Sequence, residues 1–410
     1  MTKRIKIAII YPTDPSGKKV GGISTFLKNF VKFSPNNFTI KWIGISEGRG
    51  RNGLGKWKRI KVGGKEIDFM SVMDVKDENQ KLSVPLGLRF VFSLLCNVAR
   101  YKKCIKNHIL NFHRIDVMLP FILYSNKKVL FLHGNTQDYY NPKSEIKWSK
   151  IPFIYFLMEK YIIKKFDKIY IVREDAVISY RKKYPDLAEK ISFIPTWVDE
   201  DVFYPCKNGE KTIARREFFK MNKFSDDAKT ILFVGRFEGQ KDPILLIKTF
   251  CYIVSKLPSV RLLLIGQGSL KNEMKKLLCE EDIQDKVSFL GVLPQGDIAA
   301  IMRVSDVFLL TSAFEGMPMS VMESLGSGLP VVTTDAGEVK RVVQDGVSGR
   351  IISRRDAQVI GDGVIDVLND EKYRNSEVVR SCVKDFFAHE ILKQMYYQIE
   401  KIAISNGVNN

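Results

Sequence analysis

Short runs of Ile, Val, Leu and Phe recur along the chain, separated by stretches whose apolar positions repeat every three or four residues. Runs without polar alternation fit strands buried on both faces, and the longer stretches fit amphipathic helices. In the first half the clearest strands are Ile5–Tyr11, Lys128–His133 and Lys168–Val172, with Ser192–Pro195 closing the set. The second half is more regular. Its expected strands are Thr230–Gly235, Val260–Ile265, Val287–Leu290, Val307–Thr311 and Leu329–Thr333. Between them the pattern predicts helices over Pro243–Leu257, Leu270–Glu280, Gly296–Val304 and Pro318–Leu325. This alternation predicts α/β domains built on parallel sheets.

At 410 residues the chain exceeds one ordinary core, so two domains are expected. The segment DEDVFYPCKNGEK, residues 199–211, is rich in turn formers and lacks periodicity, which places the boundary there. The domains are then 1–200 and 201–388, both Rossmann-like. The final amphipathic helix, His389–Ile404, is assigned to complete the first domain. Two doubly wound domains facing each other would bind a ligand in the interdomain cleft, at their strand C-termini.

Composition narrows the class. With 45% hydrophobic and 27% charged residues the chain is neither disordered nor fibrous. Six cysteines without a CxxC pair point to a reduced, cytoplasmic protein without a disulfide frame or zinc site. The four histidines show no ligand spacing, so no metal is expected. The N-terminal run Ile7–Ile10 is too short for a signal peptide and reads as a first strand. Pro85–Ala99, the longest apolar stretch elsewhere, contains Arg89 and Asn97 and is too short to span a bilayer. Charge is uneven: residues 1–200 hold 37 Lys+Arg against 18 Asp+Glu, and residues 201–410 hold 28 against 28. The basic half fits an acidic partner, such as a membrane surface or phosphorylated substrate. It fits a solubility feature equally well.

The chemistry concentrates in the second half. Glu315-Gly-Met-Pro-Met-Ser-Val-Met-Glu323 follows the apolar strand VFLLTS, and Pro318 suits the first position of a helix. The free N–H groups of Met319, Ser320 and Val321 would make an anion site suited to a diphosphate. Glu323 lies roughly 7–8 Å further along that helix, where a carboxylate can accept both hydroxyls of a ribose. Glu315, in the loop before the helix, lies on the opposite side of such phosphates. Taken alone, the spacing also describes one loop glutamate and one solvated helix glutamate. FVGRFEGQKD adds Arg236 just past a strand end and Lys241 five residues later. Two such cations can neutralise a leaving nucleoside diphosphate as negative charge develops, so a metal is not needed. No DxD-like acidic cluster that would clearly hold a metal is evident.

The first half offers less. In GKKVGGISTF, Gly21 and Gly22 would let the backbone approach a ligand, and Ser24 or Thr25 would cap the next helix. Gly266-Gln267-Gly268 is only a fragment of a dinucleotide fingerprint, and no ribose-binding acid follows at the right distance. His133 ends a strand and could bond a sugar hydroxyl or simply pack. His113 and Arg114, placed before a short strand, are weaker candidates.

In this order the pieces resemble the GT-B-fold glycosyltransferases of family four. The match is closest through FVGRFEGQKDPILLIKTF, LLLIGQGSLKNEMKKL and VSFLGVLPQGDIAAIMRVSDVFLLTSAFEGMPMSVMESLGSGLPVVTTDAGEVKRVVQDGVSG. In the first half it rests on the GGI turn, His133 and IPTWVDEDVFYP. The resemblance implies a retaining enzyme that moves a hexose or N-acetylhexosamine from a UDP- or GDP-linked donor to a glycan or lipid-linked acceptor. Bacterial cell-surface polysaccharide synthesis is the expected setting. It further implies that Arg236 and Lys241 bind the diphosphate and Glu323 the ribose. Glu315 and the backbone of Met317, Pro318, Met319 and Ser320 would hold the donor sugar and phosphates. The base would sit against Leu290–Val292, Gly22 near the phosphates or acceptor, and His133 near the donor sugar. No cofactor is implied, and no protein nucleophile, since the departing phosphate oxygen helps deprotonate the incoming hydroxyl. The first half departs from the family pattern at Thr196-Trp197 and at Arg173 before Glu174.

The segment Lys147–Phe166 combines aromatics with lysines and could lie in a membrane interface or pack on the core. With the basic half it makes a lipid-linked acceptor, and a peripheral position on the inner membrane face, reasonable. Rivals are a GT-B-fold epimerase or phosphorylase, and a basic protein binding membrane or nucleic acid without catalysis. No RNA or DNA module is present, so no nucleic-acid partner is expected.

Overall fold

In a computed structural model the described residues are 4–17, 22–48, 50, 53–76, 84–133, 152–207, 209–222 and 224–404. They form two units: residues 1–195 with 389–410, and residues 196–388.

The first unit is built on eight strands among the described residues. These are β1 (Ile5–Ile10), β2 (Phe38–Glu47), β3 (Trp57–Val62), β4 (Lys65–Val75), β5 (Ile109–Phe112), β6 (Lys128–Leu132), β7 (Lys168–Ile171) and β8 (Ile191–Phe193). Their order is β3-β4-β2-β1-β5-β6-β7-β8, parallel except where β3 runs against β4. Strands β2 to β5 were not foreseen. In β2 and β4 polar residues interrupt the apolar run, yet the hairpin signal was present. Val62 pairs with Lys65 across Gly63-Gly64, both at positive φ, as a two-residue turn of the primed type requires.

Helices α1 (Gly22–Lys32), α2 (Leu86–Cys96), α3 (Val98–Tyr101), α4 (Pro152–Ile162) and α5 (Glu174–Lys183) surround this sheet. Alternation along the strands sorts them. Leu130 and Leu132 of β6 join the core beneath α2, α4, α5 and the 3-10 helix Asp116–Phe121. Phe131, pointing the other way, meets Phe26 and Phe30 of α1. Gly22 is the first residue of α1, so Ser24 and Thr25 lie inside the helix, buried, and are not its caps. The expected amphipathic segment Lys147–Phe166 is described only from residue 152. Gly21 also lies outside the described residues.

The second unit carries β9 (Thr230–Val234), β10 (Arg261–Ile265), β11 (Val287–Gly291), β12 (Val307–Leu310), β13 (Val331–Thr334) and β14 (Gly349–Ile352). Their order is β11-β10-β9-β12-β13-β14, all parallel. β9 and β12 are wholly buried, matching their uninterrupted apolar sequence. The helices are α6 (Glu210–Asn222), α7 (Pro243–Lys256), α8 (Lys271–Glu280), α9 (Gln295–Val304), α10 (Met319–Gly326), α11 (Ala357–Asn369) and α12 (Ser376–Ser381). Start signals match chemistry: Asp242 caps α7 by accepting from the Leu245 N–H at 3.1 Å, with Pro243 in the first turn. The 199–211 stretch does not separate the units. Val198 and Phe203 are fully buried in the second core, because apolar side chains among turn formers still seek burial.

The last helix, α13 (Ala388–Ile404), returns to the first unit from His389 onward. Tyr396 rests on Phe30 and Phe38 and bonds the Phe30 carbonyl, Asn37 bonds Glu400, and Tyr170 bonds Gln398.

Candidate functional site

Sheet topology locates one site per unit. In the second sheet the chain leaves β9 for β10 and β11 on one side, then crosses back to β12, β13 and β14 on the other. The loops after β9 and β12 therefore diverge and open a crevice at their C-terminal ends, where ligands bind in doubly wound sheets. Those two loops carry Arg236, Lys241 and Glu315.

The crevice is tightly wired. Lys241 Nζ lies 2.5 Å from Glu315 Oε1, and the same oxygen accepts from Ser312 Oγ at 2.5 Å. Glu315 is buried, as a carboxylate with two such donors can be. The Thr311 hydroxyl donates to the carbonyls of Lys241 and Asp242 at 3.1 and 3.0 Å, which binds the β12 end to the β9 loop. Arg236, exposed, donates to Gln240 Oε1 at 2.9 Å. Gln240 in turn donates to the Phe314 carbonyl and accepts at its own carbonyl from the Ala313 N–H. Two expected phosphate cations are thus held on either side of Phe314 and Glu315, one by an amide and one by the carboxylate.

Helix α10 starts one residue later than expected, with Pro318 as its flanking cap. The Val321 N–H bonds the Pro318 carbonyl at 3.2 Å and is not open to an anion. The N–H groups of Met319 and Ser320 have no partner among the described residues. Met317 is buried in the hydrophobic core, so only its backbone can face a ligand. Glu323, five residues beyond Pro318, is buried. Burial pushes its carboxyl up to about 7, the nearby Asp199 carboxylate adds to the rise, and the Gln295 amide opposes it. Leu290 and Val292 lie at the end of β11, two strands from β9, roughly 10 Å away at the usual strand spacing. Val292 is 40% exposed and Leu290 is half-buried.

Several neighbours escaped the sequence reading. Gly337, at φ 64°, lets the loop after β13 cross the Glu315 backbone; an added Cβ would sit 2.4 Å from the Glu315 carbonyl oxygen. The next N–H, that of Glu338, bonds the Gly316 carbonyl at 2.9 Å and fixes that peptide's orientation. The signal was the AGE triplet just after a strand. Gly266, at φ 138°, likewise packs its backbone against Gly235, where a Cβ would lie 1.9 Å from the carbonyl oxygen. Its role is close backbone packing, where a dinucleotide loop would use it differently.

In the first unit the corresponding switch point falls between β1 and β5. There the sequence reading is corrected: His113 follows strand β5 instead of preceding a strand. His113 Nδ1 and His133 Nε2 are 2.8 Å apart. Phe26 of α1 presents its ring at 5.5 Å from His113 and 4.8 Å from His133, and Tyr11 meets His113 edge-on at 5.9 Å. Burial lowers both imidazoles, His133 to about 4 and His113 well below its usual value, with the neighbouring ring adding to the latter. Both rings are therefore neutral near pH 7. His113 Nε2 is buried without a partner among the described residues. An orphaned acceptor there costs less than an orphaned N–H, which favours the tautomer with the His113 proton on Nδ1, donated to His133. In that arrangement His133 carries its own proton on Nδ1, a donor with no hydrogen-bond partner among the described residues. Gly22, at the start of α1, has open space above its Cα. Arg114 pairs with the buried Asp116 at 2.6 Å and serves the scaffold. Arg173 pairs with Asp175 at 2.6 Å, at the start of α5.

Among the described residues no three His, Cys, Asp or Glu side chains cluster as a metal would require. No helix among them is long and apolar enough to cross a membrane.

Comparison with known proteins bears on this crevice. Residues 214–377 match the family described as "Glycosyl transferases group 1". The chain is 28% identical over 201 residues to the UDP-Gal:alpha-D-GlcNAc-diphosphoundecaprenol alpha-1,3-galactosyltransferase of Escherichia coli, covering 48% of this chain and 50% of that one. It is 30% identical over 187 residues to the D-inositol 3-phosphate glycosyltransferase of Mycolicibacterium smegmatis, covering 44% and 41%. The chain spans about half the length of the curated relatives it matches. Among solved structures, sucrose-phosphate synthase from Thermosynechococcus elongatus superposes with a TM-score of 0.77 at 16% identity, over 98% of this chain and 100% of that one. Anabaena HepE, solved in complex with UDP and glucose, gives 0.70 at 15% identity, over 96% and 99%. The fold is GT-B, two Rossmann-like α/β units, as the sequence pattern predicts.

Proposed function

We propose that this chain is a metal-independent, retaining glycosyltransferase. It moves a hexose or N-acetylhexosamine from a UDP- or GDP-linked donor to a glycan or lipid-linked acceptor in bacterial cell-surface polysaccharide synthesis. The observation that carries the reading is the β9–β12 crevice. There Arg236 and the Lys241–Glu315 pair stand beside a helix start with unpaired Met319 and Ser320 N–H groups. The match of residues 214–377 to group 1 glycosyl transferases supports it.

In this reading the donor's diphosphate binds Arg236, Lys241 and the α10 N–H groups, which are favoured by the helix dipole. Lys241 then shares its charge between Glu315 and phosphate. Glu323, ionised, accepts both ribose hydroxyls, and the base packs on Leu290 and Val292. Glu315 and the Gly316 peptide orient the sugar, and the His133 Nδ1–H donates to one of its hydroxyls. Gly22 leaves room for phosphate or acceptor. The bond from the anomeric carbon to the phosphate oxygen breaks, and the acceptor oxygen bonds that carbon on the same face. The acceptor proton passes to the departing phosphate oxygen. Cations fixed before reaction stabilise the charge growing on that oxygen, so no protein nucleophile is needed. The enzyme works in the cytoplasm, and the basic first unit brings it to the anionic inner face of the membrane.

A thermal-shift screen of UDP, GDP, ADP and their sugars tests the proposal. One nucleoside diphosphate stabilises the protein, and the Arg236→Ala variant loses that shift. A chain that ignores all of them is not this enzyme. Turnover of a UDP-sugar without any acceptor would mark an epimerase instead.

A further inference from the structure

The first unit carries a large basic surplus. By structural unit the division is sharper than by sequence halves: 39 Lys+Arg against 18 Asp+Glu in the first, 26 against 28 in the second. Residues 84–133 and 152–166 hold eleven Lys+Arg and only two acids, Asp116 and Glu159. Both acids are buried and paired, Asp116 with Arg114 and Glu159 with Lys183 and the Tyr184 hydroxyl. Besides α3, β5 and β6, these segments form α2, the 3-10 helix Asp116–Phe121 and α4, part of a layer whose inner side is core. Among the described residues these segments expose no carboxylate, while α5 beside them exposes Glu174 and Asp175 in its first turn.

That outer side does expose apolar groups in helical register. On α2, Leu88, Phe92 and Leu95 follow at i, i+4 and i+7, with Phe92 68% exposed. On α4, Phe153, Leu157 and Tyr161 follow at i, i+4 and i+8, at 76%, 47% and 64%. Leu123, after the intervening 3-10 helix, is 93% exposed. Tyr155, among the aromatics of the expected amphipathic segment, is buried instead, so the helix splits its aromatics between core and exterior. Lys160 shares the outer stripe of α4, and exposed Lys164 and Lys165 follow directly. Exposed Lys102, Lys103 and Lys106 follow α2, with Lys102 over the Tyr124 ring. A hollow of about 460 Å³ opens beside α2, lined by Met73, Leu88, Arg89 and Phe92, with the Asp74 carboxylate on its β4 side.

We infer that this α2–α4 face docks on an anionic lipid bilayer. Apolar side chains at this exposure cost solvation unless something covers them. Lysines among aromatic and leucine side chains, with no exposed acid on α2 or α4 themselves, suit insertion between acyl chains while the ammonium groups meet lipid phosphates. Nucleic acid would reward the charge but not the leucines and phenylalanines. The inference names the surface by which the proposed enzyme reaches a lipid-linked acceptor. Only that consequence rests on the glycosyltransferase reading.

Flotation of the full chain with vesicles of phosphatidylcholine, with and without phosphatidylglycerol, tests it. Two exposed-surface variants are compared: Leu88→Asn/Phe92→Asn/Phe153→Asn, and Lys160→Glu/Lys164→Glu/Lys165→Glu. The wild type is expected to float with anionic vesicles only, and each variant to lose about tenfold or more in partitioning. Both variants are expected to keep the thermal shift with nucleoside diphosphate. Equal binding to neutral vesicles, unchanged partitioning in both variants, or displacement from anionic vesicles by duplex DNA at equal phosphate concentration overturns the proposal. Nucleotide shift without flotation defeats the docking face alone; flotation without nucleotide shift defeats the enzyme reading alone.

Discussion

The two switch points share a topology and differ in electrostatics. In the basic unit, the crevice beside β1 and β5 holds two neutral imidazoles, His113 buried and His133 half-buried, edged by aromatic rings. In the nearly neutral unit, the crevice beside β9 and β12 holds an arginine, a lysine, a carboxylate and an open helix start. Net charge therefore points away from the charged site. The surplus basic residues of the first unit are distributed along its chain, the α2–α4 segments among others, where solvent screens the exposed ones. The cations in the crevice of the second are few, and each is fixed by a hydrogen bond. A few oriented charges in a crevice do more chemistry than many on a surface.

The contrast can be broken most sharply at Lys241. Lys241→Ala removes the ion pair of the buried Glu315 carboxylate and should cost about 3 kcal/mol in urea unfolding. A Glu315→Ala background should recover most of it. If Lys241→Ala is neutral, the pair does not organise the crevice. Arg236→Ala leaves stability unchanged but should weaken nucleoside diphosphate binding about a hundredfold by calorimetry. Glu315→Ala should instead slow transfer about a hundredfold while the nucleotide still binds.

Glu323 gives the contrast a pH signature. With its carboxyl raised to about 7, donor affinity should fall about tenfold per pH unit below that value, because the ribose hydroxyls need the ionised form. Glu323→Gln should flatten the profile. The stability sign runs the other way: a raised folded pKa favours the native state at acid pH, and that contribution is lost as pH rises through 7. The Gln variant should therefore gain stability relative to wild type between pH 5 and pH 8. The smallest effect belongs to the first unit. His113→Phe removes the donor that sets the His133 tautomer and should reduce transfer about fivefold, with nucleotide affinity unmoved.

Much of this was legible in the residues. The strands and helices of the second unit follow from uninterrupted apolar runs between capping signals such as Asp242-Pro243. The group around Arg236, Lys241 and Glu315 follows from polar residues placed just past strand ends. The first unit was harder to read, because β2 and β4 carry lysines and acids within buried strands, as where Lys41 pairs with Asp68 at 2.7 Å. The boundary was set slightly late because turn-forming residues around Phe203 looked like a linker.

By itself, the sequence determined which segments bury on both sides of a parallel sheet and which polar residues fall at the strand ends, since both depend on local periodicity and short-range turn chemistry. Only the tertiary structure decided partners. Lys241 meets Glu315 across 74 residues, His113 meets His133 across 20, and the Gly337 loop closes over the Glu315 backbone. Such pairings depend on strand order in the sheet, which is set by long-range packing that no local pattern encodes.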